Sequence, residues 1–168
     1  MVCMYRKTFD GMNCSVARSL DQVGEWWSLL IVRECLLGTS RFDDFQQRLG
    51  IARNVLTSRL NSLIDYGVLE KVIAEGSEKR SAYKLTPKGE ALFPVIVALS
   101  QWGDEWLGHE APLQLVENKT GLPIEPVGPR VGDRLLALRD VRVEPGPGAT
   151  EKTMEAIRNR NRVILGEE

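Results

Sequence analysis

Histidine and cysteine are scarce in this chain: there is one histidine, His109, and three cysteines, Cys3, Cys14 and Cys35. An odd, scattered set of cysteines is no disulfide framework and suits a reducing compartment. With no cysteine beyond residue 35 and a single histidine, zinc-type ligand spacing is missing, and no metal or cofactor is expected. No apolar run reaches the roughly 18 residues of a membrane span. The N-terminus lacks the apolar stretch of a secretory signal. The expectation is a cytoplasmic chain with no membrane partner. Neither Gly-x-Gly-x-x-Gly nor a P-loop occurs, and His109 has no evident nucleophile partner, so an enzyme is not expected. An excess of positive charge is missing too. Lys and Arg number 22 against 23 Asp and Glu, a net charge of -1, whereas nucleic-acid binders are often basic overall.

What is present is a patterned core. At 168 residues and 43% hydrophobic content, the chain suits one domain with an extension. Asn13-Cys14-Ser15 precede Val16, Ala17, Leu20 and Val23 on one helical face, and Gly24 ends that helix. Glu25–Leu37 reads as a second helix, with Trp27, Leu30, Ile31 and Leu37 as its stripe and Gly38 as C-cap. An amphipathic segment, Arg41–Leu49, runs into a break at Gly50-Ile51. A second one, Ala52–Tyr66, carries Leu56, Leu60, Leu63 and Ile64 at i, i+4, i+7 and i+8. Val68–Ala74 and Ser81–Leu85 then read as two strands around a charged turn. Two helices joined by a tight turn and followed by a hairpin make a winged helix-turn-helix. Thr86-Pro87 opens a long helix to about Gly108, on which Leu92, Leu99 and Trp106, and Val95 and Trp102, recur every seven residues. That spacing predicts packing along a partner helix.

With the leucine stripe turned to the core, Arg53, Asn54, Thr57, Ser58 and Asn61 point outward. These are residue types that read base edges: arginine on guanine, asparagine on adenine, threonine and serine on bases or phosphates. No carboxylate lies among them. Local charge matters more than net charge, although Asp43, Asp44, Glu75 and Glu78 sit among the cations and leave the region only slightly basic. Arg41, Arg59, Lys79 and Arg80 join Arg53 in this region, Lys79 and Arg80 at the wing, and Arg59 between faces, where it either pairs internally or touches a phosphate. The expected partner is double-stranded DNA.

These residues resemble the HxlR-type winged-helix regulators. The resemblance rests on Cys14-Ser-Val-Ala-Arg-Ser-Leu20, Gly24-Glu-Trp-Trp-Ser-Leu-Leu-Ile-Val-Arg-Glu34, Leu37-Gly-Thr-Ser-Arg-Phe42, Val55-Leu-Thr-Ser-Arg-Leu60 and Tyr66-Gly-Val-Leu69. Tyr83-Lys-Leu-Thr-Pro-Lys-Gly89, Leu92-Phe-Pro-Val95 and Gln101-Trp-Gly103 continue it. It implies a homodimeric bacterial DNA-binding regulator, a repressor or activator, with the first and last helices of the domain at the dimer interface. Val16, Leu20, Leu92, Val95, Leu99, Trp102 and Trp106 are the residues so placed. Several members of the family sense oxidants or electrophiles through a cysteine near the start of the first helix. Cys14 matches that position and is the candidate redox sensor, although Ser15 follows it where proline is frequent. A helix N-terminus stabilises a thiolate. Cys35, beside the core face of its helix, reads as inert.

Beyond residue 108 prolines and glycines interrupt the chain every few residues. Leu113–Val116, Arg134–Leu138 and Val141–Val143 read as short strands, and 150–165 as a terminal helix with Met154, Ile157 and Ile164 on its apolar side. The expected fold is thus mainly α with a small β wing (α+β). A winged helix-turn-helix domain spans 1–108 and an irregular, β-containing extension spans 109–168. The expected function is a homodimeric, sequence-specific regulator, in the first place a repressor, on a pseudo-palindromic operator. Its signal is either thiol-reactive or a small-molecule effector. The rival is a winged helix that binds protein and has lost DNA, whose outer helix face would carry apolar or acidic residues.

Overall fold

A computed structural model of the chain describes residues 8–73, 81–108 and 110–165, with side chains followed to residue 159. The element order is α1 (Ser15–Val23), α2 (Trp26–Leu36), α3 (Phe42–Leu49), α4 (Arg53–Asp65), β1 (Leu69–Ile73), β2 (Ser81–Leu85), α5 (Pro87–Glu90) and α6 (Phe93–Trp106). The extension follows with β3 (Arg130–Val131), β4 (Arg134–Leu135), a 3-10 turn (Leu138–Asp140) and α7 (Glu151–Leu165). The fold is mostly helical with a small antiparallel wing, in agreement with the expected class.

One apolar cluster, drawn from residues between Val23 and Ile96, organises the helices and the wing. Leu56, Leu60 and Leu63 from α4 are buried against Ile31 and Val32 of α2, Phe45 of α3, and Val68 and Leu69 at the start of β1. Ile64, the fourth member of the stripe, packs on this cluster from its edge. The break between α3 and α4 is three residues long. Gly50 turns it in the left-handed region, with φ 62°, Ile51 is buried, and Ala52 is the N-cap of α4. A positive φ suits a residue without Cβ, so the turn is tight enough to set α4 across α3. The wing pairs Leu69 with Leu85 and Ile73 with Ser81. It is fixed to the helices at its far side, where the Tyr83 N–H donates to the Ser40 carbonyl at 2.8 Å and the Tyr83 ring meets Phe45 edge-on at 6.2 Å.

Thr86 performs the expected capping, and more. Its hydroxyl accepts from Gly89 N–H at 3.2 Å and donates to the Gly67 carbonyl at 2.6 Å. Gly89 lies so close to the main chain that a Cβ there would sit 2.2 Å from the Val68 oxygen. Lys88, one residue away, donates to Gln22 at 2.7 Å and to the Tyr66 carbonyl at 2.6 Å. A cation at the last carbonyls of α4 is a favourable place for it.

Several expectations are corrected. The long helix from Thr86 breaks at residues 91–92 into α5 and α6. Pro94, in the first turn of α6, explains it: a continuous helix would bring its ring against the Glu90 carbonyl and leave no N–H to donate. Leu92 is consequently the N-cap of α6 and packs against the core instead of standing in an outer stripe. Leu37 lies past the end of α2 and is half exposed. In the extension, Leu113–Val116 forms only a bridge from Val116 to Pro123, Arg134–Leu138 shortens to β4, and Val141–Val143 is irregular. Proline at every few positions removes the donors a longer ladder needs.

The extension is tied back to the domain by two side-chain amides. Gln101 on α6 donates to the Glu125 carbonyl at 3.2 Å and accepts from Val127 N–H at 2.8 Å. Asn13, just ahead of α1, donates to the Gly148 carbonyl at 2.9 Å and to the Thr153 hydroxyl at 3.1 Å.

Candidate nucleic-acid interface

The sequence of α4 divides it by helical geometry into a leucine side and a polar side. Arg53, Asn54, Thr57, Ser58 and Asn61 are all exposed. Among the described residues the amides of Asn54 and Asn61 have no hydrogen-bond partner, so their donors and acceptors are available to a ligand. Thr57 donates its hydroxyl to the Arg53 carbonyl at 2.8 Å. That hydrogen is spent within the helix, and what Thr57 offers outward is an acceptor and a methyl group. Ser62 makes the same back-bond to the Ser58 carbonyl at 3.0 Å.

Arg53 is pre-positioned by α3. Its guanidinium lies 4.8 Å over the centre of the Phe42 ring and 3.9 Å from the Asp43 carboxylate. Both partners are exposed contacts of modest strength. Together they extend the arginine along the junction of the two helices. Arg41, the N-cap of α3, stands beside it. Arg41, Phe42, Asp43, Arg53, Ser81 and Tyr83 line one open groove of about 450 Å3 between the helix-turn-helix and the wing. Burial raises the Tyr83 phenol above its ordinary value, so it remains a neutral hydrogen-bonding group at this site.

Arg59 does not join them. Its guanidinium turns to Glu25, the N-cap of α2, at 3.5 Å, and its side chain is 20% exposed. Of the two roles its position leaves open, the internal pair is the one realised. Lys79 and Arg80 fall in the connection between β1 and β2 and lie outside the described residues.

Cys14 is the half-buried N-cap of α1. Cys35 is different. Burial first, and then the neighbouring Glu34 carboxylate, push its thiol up to about 12, which keeps it protonated and unreactive at neutral pH.

A third set of residues is apolar and exposed on two helices. Val16 and Leu20 project from α1 while Ala17 and Val23 of the same helix are buried. Val95, Leu99, Trp102 and Trp106 project from α6, with Trp106 at 66% exposure. Large apolar side chains so exposed on two helices mark an interaction surface.

Comparison with known proteins places this geometry. The model of the HxlR-like helix-turn-helix family matches residues 22–111. An HTH-type transcriptional regulator of Mycobacterium tuberculosis is 40% identical over 142 residues, which cover 82% of this chain and 89% of that protein. The crystal structure of PA1607, a candidate transcription factor, is similar with 42% identity and a TM-score of 0.76, covering 83% of this chain and all of that one. The redox regulator HypR in its reduced form is similar with 25% identity and a TM-score of 0.50, over 54% of this chain and 91% of its own. The first two likenesses span more of the chain than residues 1–111 contain, so both reach into the extension.

Proposed function

This chain belongs to the HxlR-like helix-turn-helix family of transcriptional regulators, and from that premise we propose that it is a sequence-specific DNA-binding repressor, acting as a homodimer on a pseudo-palindromic operator. The observation that carries the reading is the outer face of α4: five exposed polar residues, Arg53 to Asn61, with no carboxylate among them. In this reading the first two turns of α4 enter the major groove, and Arg53, Asn54, Thr57, Ser58 and Asn61 meet base edges. Arg41 and the wing residues Lys79 and Arg80 contact phosphates, which set register without reading sequence. Arg59 is assigned to holding α4 against α2. A protein-binding winged helix without DNA affinity is disfavoured by the same face, which offers little apolar surface for a protein partner.

The homodimer pairs the exposed apolar side chains of α1 and α6, Val16, Leu20, Val95, Leu99, Trp102 and Trp106, so that two α4 helices lie about one turn of DNA apart. Leu92 is left out of this interface because it packs inward. The division into a 1–108 domain and a 109–168 extension is kept as part of the proposal. Cys14, at the start of an interface helix, is the proposed point at which a thiol-reactive signal enters. The likeness to HypR, itself named a redox regulator, supports this choice.

The test is a gel shift of the purified protein on DNA upstream of its own gene, against random DNA of equal length, with and without diamide. A specific shift lost on oxidation, and retained on oxidation by Cys14→Ser, is the expected result. A specific shift indifferent to diamide keeps the regulator and discards the thiol switch. Equal affinity for specific and random DNA overturns sequence-specific binding.

A further inference from the structure

Between α2, α6 and the start of the extension lies a cavity of about 300 Å3. Leu29 and Leu36 of α2, Phe93 and Ile96 of α6, and Leu113 and Leu115 of the extension form its apolar wall. Among the described residues, Arg33 is the only charged side chain lining it. Arg33 Nη2 donates to the buried Glu34 carboxylate at 2.6 Å, while its Nε is buried and has no acceptor. The side chain as a whole is 42% exposed, so its guanidinium is not closed off by Glu34.

We propose that this cavity binds a small organic acid, with an apolar body in the leucine-lined space and one carboxylate on Arg33, and that such an acid is the effector of the regulator. The volume is that of a small-molecule site, and apolar walls with a few polar groups, here Arg33 and Ser100, are its usual make-up. A guanidinium presents a planar fork of donors matched to a carboxylate. A polyanion such as a nucleotide would meet only one cation here.

The effector role, but not the binding itself, rests on the reading of the chain as a DNA-binding regulator. It follows from what Arg33 is connected to. The second oxygen of Glu34 accepts from the Thr39 hydroxyl at 3.2 Å, and the Glu34 carbonyl accepts from Thr39 N–H at 2.9 Å. The next residue, Ser40, carries the carbonyl that holds Tyr83 of the wing. Arg41 then caps α3. A ligand carboxylate competes with Glu34 for Arg33, and Glu34 anchors the segment that joins the wing to the helix-turn-helix. The binding-competent arrangement of α3 and the wing is thereby linked to occupancy of the cavity.

Calorimetric titration of the full chain with 3-phenylpropanoate and with its neutral isostere 3-phenylpropanamide tests the site. The acid is expected to bind with a Kd on the order of 0.1–1 mM, and the amide at least about tenfold more weakly. Arg33→Met should erase that difference. Because it removes the cation beside the buried Glu34 carboxylate and can unfold the chain, Leu113→Trp is the second variant. Leu113 is 61% exposed, so the larger ring fills the cavity from its rim, and binding of both compounds should be lost. No heat from the acid at 5 mM, equal affinity for acid and amide, or unchanged binding by Leu113→Trp each overturn the site. A gel shift run alongside separates the two readings. Loss of the shift on adding the acid supports the effector role, and a shift unaffected by bound acid overturns that role. Acid binding without any specific shift leaves the site and removes the regulator.

Discussion

Arg53, the proposed readout residue, is prepared by its neighbours. The Phe42 ring and the Asp43 carboxylate hold it extended before any DNA arrives, which lowers the side-chain entropy still to be lost on binding. Arg53→Ala is expected to cost about 1–3 kcal/mol on the operator and relax specificity at one or two base pairs. Fluorescence anisotropy on operator and random duplexes checks this, and equal losses on both would make Arg53 a phosphate contact. The partners of Arg53 could not be read in advance, because a stack across a helix-turn-helix junction leaves no periodic trace. The same holds for Arg59 with Glu25 and for Lys88 with Gln22, pairs separated by tens of residues. Cys35 carries the pH prediction. Its thiol stands near 12 when folded against an ordinary 9.0. The unfolded chain therefore releases this proton first, so the contribution to stability is constant below pH 9 and declines as pH climbs from about 9 towards 12. Peptide mapping after iodoacetamide at pH 8 should find Cys14 alkylated and Cys35 untouched in the native protein. Equal labelling would contradict the raised Cys35 thiol.

At the scale of elements, the regular parts of the chain announce themselves and the exceptions are made by single residues. The α4 stripe of Leu56, Leu60 and Leu63 has the period of a helix with one buried side, and it forms as such. β2 occupies Ser81–Leu85, the run its alternation marks. The break between α5 and α6 follows from Pro94, whereas the seven-residue recurrence from Leu92 predicts one helix, and recurrence alone does not show that the intervening backbone is continuous. Gly89 is a position whose demand is invisible in sequence, since it depends on how near β1 approaches. Gly89→Ala drives a methyl group into the Val68 carbonyl, and main chain cannot step aside as a side-chain tip can. The expected loss is about 1–3 kcal/mol, measured by urea unfolding. A midpoint within experimental error of the unsubstituted protein would contradict the packing around α5.

For the whole molecule, the surface on which the proposed homodimer depends is the exposed apolar side chains of α1 and α6. Trp102→Glu places a carboxylate in its middle, where a partner copy would desolvate it. For the proposed homodimer, sedimentation should show dissociation at micromolar concentration, and operator affinity should fall because each α4 then binds alone. A dimer unaffected by Trp102→Glu would move the interface off α6. The extension contributes nothing to this surface in the proposed arrangement. Its sequence predicts longer strands than form, because apolar runs between prolines satisfy the alternation of a strand without supplying enough N–H groups for a ladder.

The attachment of the extension has a consequence for its evolution. Gln101 and Asn13 grip it through the Glu125 carbonyl, the Val127 N–H and the Gly148 carbonyl, and only Thr153 contributes a side chain. Main-chain atoms are the same in every residue that leaves the backbone path intact. Mutations at positions 125 and 127 are therefore nearly silent to the clasp. The segment is free to drift in sequence while staying docked, so related regulators can diversify the walls beside α6 without redesigning the joint that holds them.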